Sequence, residues 1–450
     1  MQKARVDFLF LFWAVPIGIE NLPAMPDALE IEPVTKPVVA RVRPPGSKSI
    51  TNRALVCAAL AAGRSTLRGA LDSEDTRVMI AALRELGINV TLRDEGHTLV
   101  VDGSGGLIPA GAAELFCANS GTTIRFLAAL VTLGQGTFRL DGVARMRERP
   151  IEDLLAALRQ LGADAESESH DGCPPVVVHA NGLPGGTATV RGDISSQFLS
   201  GLLMAATAAL APVTLKIDGT LVSQPYVHMT LAVMQAFGVR VETDTQLSKF
   251  QIAAPLPYKP RDYDIEPDAS AASYFWALAA ITGGTVTVDG LSAESLQGDV
   301  AFVDCLATMG CVIERGADFI TVTGRPLHGV DVDMNAISDT VQTLAVVALF
   351  ADGPTTIRNV GHIRHKETDR IGAVATELRK LGAVVEERED GLVISPGKLR
   401  SATIDTYHDH RMAMSFALAG LRQRGVRVND PGCTAKTYPN FFDDLARAVG

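Results

Sequence analysis

Stretches of Ala, Leu and Val long enough for helices alternate along this chain with short β-branched runs, and the alternation keeps a period. Helical stretches close at Leu86-Gly87, Leu161-Gly162, Phe237-Gly238, Met309-Gly310, Leu381-Gly382 and Val449-Gly450, about 68 to 76 residues apart. A glycine just past the last apolar turn predicts a left-handed C-terminal residue, and a strand usually follows directly. Upstream of each pair, a polar start runs into another Ala/Leu-rich helix. These starts are Ser47-Lys48-Ser49, Asn119-Ser120-Gly121, Ser195-Ser196-Gln197, Asp268-Ala269-Ser270, Ser338-Asp339-Thr340 and Asp409-His410-Arg411. Between the two helices come β-branched strands such as Val213-Thr214-Leu215-Lys216-Ile217 and Thr285-Val286-Thr287-Val288.

Each unit therefore reads as helix, strand, helix, strand, which places the chain in the α/β class, and six units imply two lobes of three. The last unit stops after its second helix, so the segment around Val38 to Arg43 is expected to complete it and bring both ends of the chain into one lobe. The division expected is residues 1–33 as a non-catalytic extension, 34–46 with 267–450 as lobe I, and 47–266 as lobe II. Hinges are expected near Gly46-Ser47 and Glu266-Pro267.

Composition narrows the function classes. Of 450 residues 47% are apolar and 20% charged, which describes a chain with a large core rather than a disordered one. Against 51 Asp and Glu stand 41 Lys and Arg, so the net charge of −10 repels nucleic acid and anionic membranes. Six scattered cysteines without a Cys-x-x-Cys pair fit a reducing cytoplasm. Lys3 and Arg5 followed by Phe8 to Ile19 resemble a targeting segment only faintly, because Pro16 interrupts a run too short to span a bilayer. An extension ahead of a start at Met25 is the expectation there.

The helix starts carry the chemistry. A helix N-terminus presents unpaired N–H groups and partial positive charge, so Ser, Thr and Gly there, with Lys and Arg nearby, suit an anion. In the segment from Pro45 to Arg53, helical spacing puts Lys48 and Asn52 on one face and Ser49 and Arg53 on the next, so four donors are expected to converge. A phosphate-binding P-loop is excluded because Arg41 stands where that motif needs glycine. Gly121 leaves room for a ligand to approach the backbone, and Arg145-Met146-Arg147-Glu148-Arg149 adds a basic run. From His362 to Arg370 the chain is densest in charge, with Lys366 and Arg370 at helical spacing and Glu367 placed to carry a proton. A metal hydrolase built on His362, His365, His408 and His410 is disfavoured, since the surrounding cations would repel a metal, and no metal or other cofactor is expected.

Taken together, Pro45-Gly46-Ser47-Lys48-Ser49, Arg145-Met146-x-Glu148-Arg149-Pro150, Ser195-Ser196-Gln197-Phe198, Lys366-Glu367-Thr368-Asp369-Arg370, Asp409-His410-Arg411-Met412 and Cys433-Thr434-Ala435-Lys436-Thr437 closely resemble the enolpyruvyl transferase family, in its shikimate 3-phosphate branch. The resemblance implies a two-lobed inside-out α/β barrel, each lobe of three βαβαββ units closing over ligands. It implies transfer of the enolpyruvyl group of phosphoenolpyruvate to the 5-hydroxyl of shikimate 3-phosphate, with phosphate released, and inhibition by glyphosate. It also implies a shikimate 3-phosphate site of Lys48, Ser49, Arg53, Ser195, Ser196, Gln197, Ser223, Tyr226, Asp339, His362 and Lys366. Phosphoenolpyruvate would be held by Lys48, Gly121, Arg145, Gln197, Arg370, Arg411 and Lys436. Glu367 would protonate the methylene carbon, Asp339 would deprotonate the hydroxyl and Lys48 would assist.

Three positions depart from the family pattern: His362 where Asn is frequent, Phe126 where Pro often follows the arginine, and Gln224 where Lys is frequent. The sister transferase acting on UDP-N-acetylglucosamine typically uses a loop cysteine, and the segment from Asp141 to Pro150 has none. A non-enzymatic anion-binding repeat module is the alternative of another class. The chain is expected to act as a monomer, without nucleic-acid or membrane partners.

Overall fold

The computed structural model describes residues 26–450. The expected repeat is there as six small sheets, five of four strands and one of three. In the second unit, strand Ala112–Phe116 is followed by helix Gly121–Leu130, and strand Gln135–Asp141 by helix Glu152–Gln160. The unit closes with the antiparallel pair Asp164–Ser167 and Val176–Asn181. The first two strands pair in parallel, Ala112 opposite Thr137, because a helix returns the chain between them.

The layers are inverted relative to most α/β folds. In the first helices of the second, fourth and sixth units, Gly121–Leu130, Ala269–Thr282 and His410–Gly420, every residue is buried. Their Ala and Gly content lets them pack around one another, and the sheets form the outer wall. One buried apolar cluster runs from Ile50 to Ile265. A second takes Ile31 and Val38 and then runs from Ala269 to Ala448.

The glycines expected at helix ends take positive φ: +84° at Gly87, +89° at Gly162, +84° at Gly238, +114° at Gly310 and +101° at Gly382. Gly201 serves close approach instead, since a Cβ there would lie 2.8 Å from the Arg125 carbonyl oxygen of the neighbouring helix. Gly201→Val is therefore expected to cost about 1–3 kcal/mol, read as a lower midpoint of thermal unfolding without loss of the fold.

The N-terminal strands are arranged differently from the expectation. Strand Val39–Val42 does not complete the last unit; it pairs in parallel with Thr285–Asp289 as the first strand of the fourth unit. The last unit takes Ala28–Glu30, antiparallel to Val426–Asn429. The direction of approach explains the difference: residues 39–42 run straight into the crossover at Gly46 and occupy the place that a first strand holds in every other unit. Residues 28–30, inside the segment expected to be an extension, form an edge of the sixth sheet. The apolar run Phe8 to Ile19 and Met25 lie outside the described residues.

Two chain crossings join the lobes side by side. Ser47 N donates to Glu266 O at 2.9 Å and Asp268 N donates to Pro45 O at 2.8 Å. Asp268 then ties the lobes through its carboxylate, accepting from Ala271 N at 2.9 Å in its own helix and from Lys48 N at 3.1 Å in the other lobe. Both orphan helix N-termini are thereby capped by one side chain.

Candidate functional site

Helix starts from both lobes meet across the cleft between them. Lys48, Gly121, Gln197, Asp339, Glu367 and Arg411 line one narrow cavity, together with Lys366, Arg370 and four residues given no substrate-site role from the sequence: Asp75, Thr122, Arg149 and His410. Most of these side chains are buried, so their charges act in a poorly screened space.

Asp339 is the hub. It stands in a 3₁₀ segment, Asn335–Thr340, ahead of helix Val341–Val347, and it does not cap that helix. Its carboxylate instead accepts from Lys366 Nζ at 3.0 Å, Arg370 Nη1 at 3.1 Å, Arg411 Nη2 at 2.9 Å and Tyr226 Oη at 3.1 Å. Burial alone would raise its pKa, but Arg411, Lys366, Arg370 and Lys48 hold it well below the usual carboxylate range. Tyr226 Oη also lies 3.1 Å from Asp299, whose carboxyl is pushed up to about 6 by burial and by the charge on Asp339.

Glu367 accepts from Arg370 Nη2 at 2.8 Å and lies 3.5 Å from Lys436 Nζ. Burial opposes its charge, yet Arg370, Lys436, Arg149 and His410 keep it well below its ordinary value. Lys366 and Arg370 do not share a helical face: the helix begins only at Arg370, capped by Asp369, and Lys366 is an extended residue four positions earlier, just past the 3₁₀ segment Gly361–His365. They converge because the loop folds back, and Arg145 from the other lobe fixes that loop by donating to Lys366 O and Glu367 O, both at 3.1 Å.

Lys436 donates to Asn119 O at 2.6 Å, a further bond across the cleft, and lies 3.8 Å from Asp75. Lys48 stands 3.5 Å from the same Asp75. Gln197 Oε1 accepts from Arg125 Nη1 at 2.7 Å, which aims the amide at the cavity. Ser195 caps its helix by accepting from Gln197 N, and Ser196 opens that helix.

At the far end of the cleft His362 Nε2 lies 3.0 Å from Ser338 Oγ and 3.3 Å from Ser223 Oγ. Burial, with Lys366 and Arg370 nearby, pushes the imidazole down to about 3, so it is neutral. Ser223 holds a left-handed backbone, with φ of 53°, and its N–H donates to Asn335 of the other lobe.

The four donors expected to converge at the first helix do not. From Ile50 onward the helix is buried all round. Arg53 turns into the lobe II core, donating to Thr230 Oγ1 at 2.7 Å, Ser49 O at 2.9 Å and Tyr226 O at 3.2 Å. Phe126 lies beneath its guanidinium, 5.3 Å from ring centre to Cζ, so the departure at 126 is a core contact. Asn52 is buried as well. Helical spacing says which residues share a face, but not which face is inside.

Residues 33–445 match the model of the family described as EPSP synthase (3-phosphoshikimate 1-carboxyvinyltransferase). The chain belongs to the EPSP synthase family. It is 51% identical over 417 residues to a 3-phosphoshikimate 1-carboxyvinyltransferase of Nostoc punctiforme, covering 92% of this chain and 98% of the relative. A relative of the same description from Shewanella amazonensis is 50% identical over 423 residues, with 93% and 98% covered. Among solved structures, EPSP synthase from Acinetobacter baumannii superposes with a TM-score of 0.78 at 26% identity, covering 94% of this chain and 98% of that one. The family match bears out the two-lobed α/β architecture and the enzyme class, a transferase of aromatic amino-acid biosynthesis. Among the described residues no helix is long and apolar enough to cross a membrane, and no group of His, Cys, Asp and Glu is arranged to hold a metal ion.

The sequence reading gave no substrate-site role to Asp75, Arg149 or His410. Asp75 sits in the first turn of a second helix, Glu74–Glu85, and only tertiary packing brings it between Lys48 and Lys436. Arg149 and His410 were visible within the basic run and the last helix start, where the signal was density of charge rather than spacing. Arg149 packs over Gly121, so that a Cβ at 121 would run into its guanidinium. In this EPSP synthase family member Gly121→Ala is expected to raise KM for phosphoenolpyruvate by about tenfold, the effect of some 1.4 kcal/mol of lost binding, with a smaller change in KM for the acceptor.

Proposed function

We propose that the cleft between the lobes transfers the enolpyruvyl group of phosphoenolpyruvate to the 5-hydroxyl of shikimate 3-phosphate by addition and then elimination of phosphate. One observation carries this reading: seven cationic side chains, Lys48, Arg145, Arg149, Lys366, Arg370, Arg411 and Lys436, surround only a few carboxylates in a buried space. Such a site suits two substrates that each bring a phosphate and a carboxylate.

In this reading phosphoenolpyruvate lies against Gly121, with Lys48, Arg145, Gln197, Arg370, Arg411 and Lys436 around it, and the helix N-terminus at Gly121 faces its phosphate. Shikimate 3-phosphate lies toward Ser49, Ser195, Ser196, Ser223, Tyr226, His362 and Lys366, with Arg53 supporting the Tyr226 turn from beneath. Asp339 is charged and so fit to accept the hydroxyl proton as oxygen attacks the carbon that bears phosphate.

Glu367 is held ionised in the cleft as it stands, whereas a donor must carry a proton. Binding of phosphoenolpyruvate supplies the change. Its anionic groups engage Arg370 and Lys436, the cations that depress Glu367, and so favour the protonated acid. That proton then goes to the methylene carbon. The resulting tetrahedral adduct gives up one of its methyl protons to the Glu367 carboxylate as the carbon–oxygen bond to phosphate breaks and the enol double bond re-forms. Lys48 stabilises charge on both oxygens. The described residues of one chain supply every group this reading uses, which fits a monomer, and small anionic substrates fit the cytoplasm.

The test follows inorganic phosphate on mixing the protein with both substrates. Release that requires both supports the reading, and release with UDP-N-acetylglucosamine in place of shikimate 3-phosphate would replace it.

A further inference from the structure

Asp299 lies buried beside the base assigned to the acceptor hydroxyl and takes no part in the steps above. It stands in the 3₁₀ segment Gly298–Ala301, just ahead of helix Phe302–Thr308, and is only 3% exposed. That segment is pressed against the start of helix Gln224–Ala236 of the other lobe: a Cβ at Gly298 would lie 2.5 Å from the Pro225 side chain. The next residue, Tyr226, reaches between two lobe I carboxylates, its Oη 3.1 Å from Asp299 Oδ2 and 3.1 Å from Asp339 Oδ2.

The two carboxylates differ in their surroundings. Asp339 pairs with Lys366, Arg370 and Arg411. Asp299 makes no ion pair among the described residues; Ser270 donates to its Oδ2, and its buried Oδ1 has no hydrogen-bond partner among them. The charges that act on it are those of Asp339 and Asp268, which favour a proton on Asp299, and of Arg411, which opposes one. A phenol has a single hydrogen, so Tyr226 can donate to only one of two ionised neighbours while the other faces its lone pairs. That conflict ends when one carboxyl takes a proton, and the carboxyl without cations takes it more readily.

We infer that Asp299 holds the proton of the acceptor hydroxyl during the addition step, receiving it from Asp339 through the hydroxyl of Tyr226. This rests on the reading of Asp339 as the base. As the acceptor oxygen attacks, its O–H bond breaks and one forms on Asp339. That proton passes to Tyr226 Oη while the phenol's own hydrogen passes to Asp299 Oδ2, which leaves Asp339 ionised, the phenol unchanged and Asp299 neutral. When phosphate leaves, the proton returns by the same atoms and departs on phosphate, so none is gained or lost over the turnover. Burial and the charges of Asp299 and Asp339 hold the phenol well above its ordinary pKa, so it passes a proton without staying ionised. Asp339 is held well below the carboxylate range and is a weak base, whereas burial and Asp339 push Asp299 up to about 6, nearer to neutral pH. Asp299 is thus a positioning residue, acting on the substrate only through its neighbours.

The experiment follows kcat against pH by release of inorganic phosphate, with both substrates saturating. Only ionised Asp299 can take the proton, so kcat of the parent is expected to fall as pH drops through its titration near 6. Asp299→Asn keeps the shape of the side chain. It is expected to lower kcat at neutral pH about tenfold or more, with both KM values within a few fold and without that acid limb. Substrate phosphates titrate alike in both proteins, so the difference between the two profiles isolates the carboxyl. Tyr226→Phe should lower kcat by a similar factor and the double variant no further, because either change breaks one relay, whereas separate structural roles would add. Ser270→Ala removes a hydrogen bond that favours the ionised form and should move the acid limb to higher pH, a readout that does not require Asp299→Asn to fold. An unmoved limb in Ser270→Ala, or parent-like kcat and limb in Asp299→Asn, would overturn the inference alone. A parent that releases no phosphate from the two substrates would instead overturn the transferase reading beneath it.

Discussion

Glu367→Gln is expected to lower kcat by about a hundred- to ten-thousand-fold, the range that a positioned proton carrier contributes, while both KM values stay within a few fold. Gln keeps the size of the side chain and its oxygen still accepts from Arg370 Nη2, so the loop held by Arg145 is preserved. What disappears is the transferable proton. Two readouts separate this from general damage. Phosphate release should fall by the stated factor, and exchange of the methylene hydrogens of phosphoenolpyruvate with deuterated solvent should fall with it. A variant that keeps kcat within tenfold of the parent would move the proton donor elsewhere, Lys48 being the next group on the cavity wall.

Asp339→Ala is expected to harm both stability and rate. It strips the shared carboxylate from Lys366, Arg370 and Arg411; Arg370 keeps Glu367 and Asp409, but among the described residues Lys366 and Arg411 keep no such partner. Breaking a buried ion pair from one side costs about 3–5 kcal/mol, so the melting temperature at neutral pH should drop by many degrees. The pH dependence has a definite sign. Asp339 has a depressed pKa in the folded chain, so its contribution is present above the ordinary Asp value and is lost as pH falls through the depressed one. The stability gap between parent and variant should therefore be full at neutral pH and narrow in strongly acidic solution. The same variant removes a charge that raises Asp299, whose titration should move down from about 6. A gap that widened on acidification would contradict the charge state assigned to Asp339.

Much of this was legible in the sequence, and the failures have physical causes. Helix ends were readable because Gly162 or Gly382 at positive φ is a local requirement of the backbone. Helix starts were readable because Ser47, Ser120 and Asp268 cap through their own side chains. Asn52 and Arg53 were misjudged because amphipathic spacing loses its meaning in a helix surrounded by protein on all sides. Lys366 reaches Asp339 through a loop turn, which no periodicity encodes. Asp75 meets Lys48 and Lys436 only when units far apart in sequence are stacked. Strand 39–42 was sent to the wrong sheet because β-propensity specifies a strand but not its neighbour.

The placement of the two N-terminal strands sets a schedule for biosynthesis. Residues 39–42 leave the ribosome early, yet their partner strand is 285–289, and residues 28–30 wait for 426–429. At about 5–20 residues per second, the first wait lasts on the order of ten to fifty seconds and the second on the order of twenty to eighty. Between the crossings, residues 47–266 hold all the strands of three sheets and emerge as one uninterrupted piece. Lobe II is thus free to fold on the nascent chain while two unpaired strands ahead of it await their partners, and lobe I closes last.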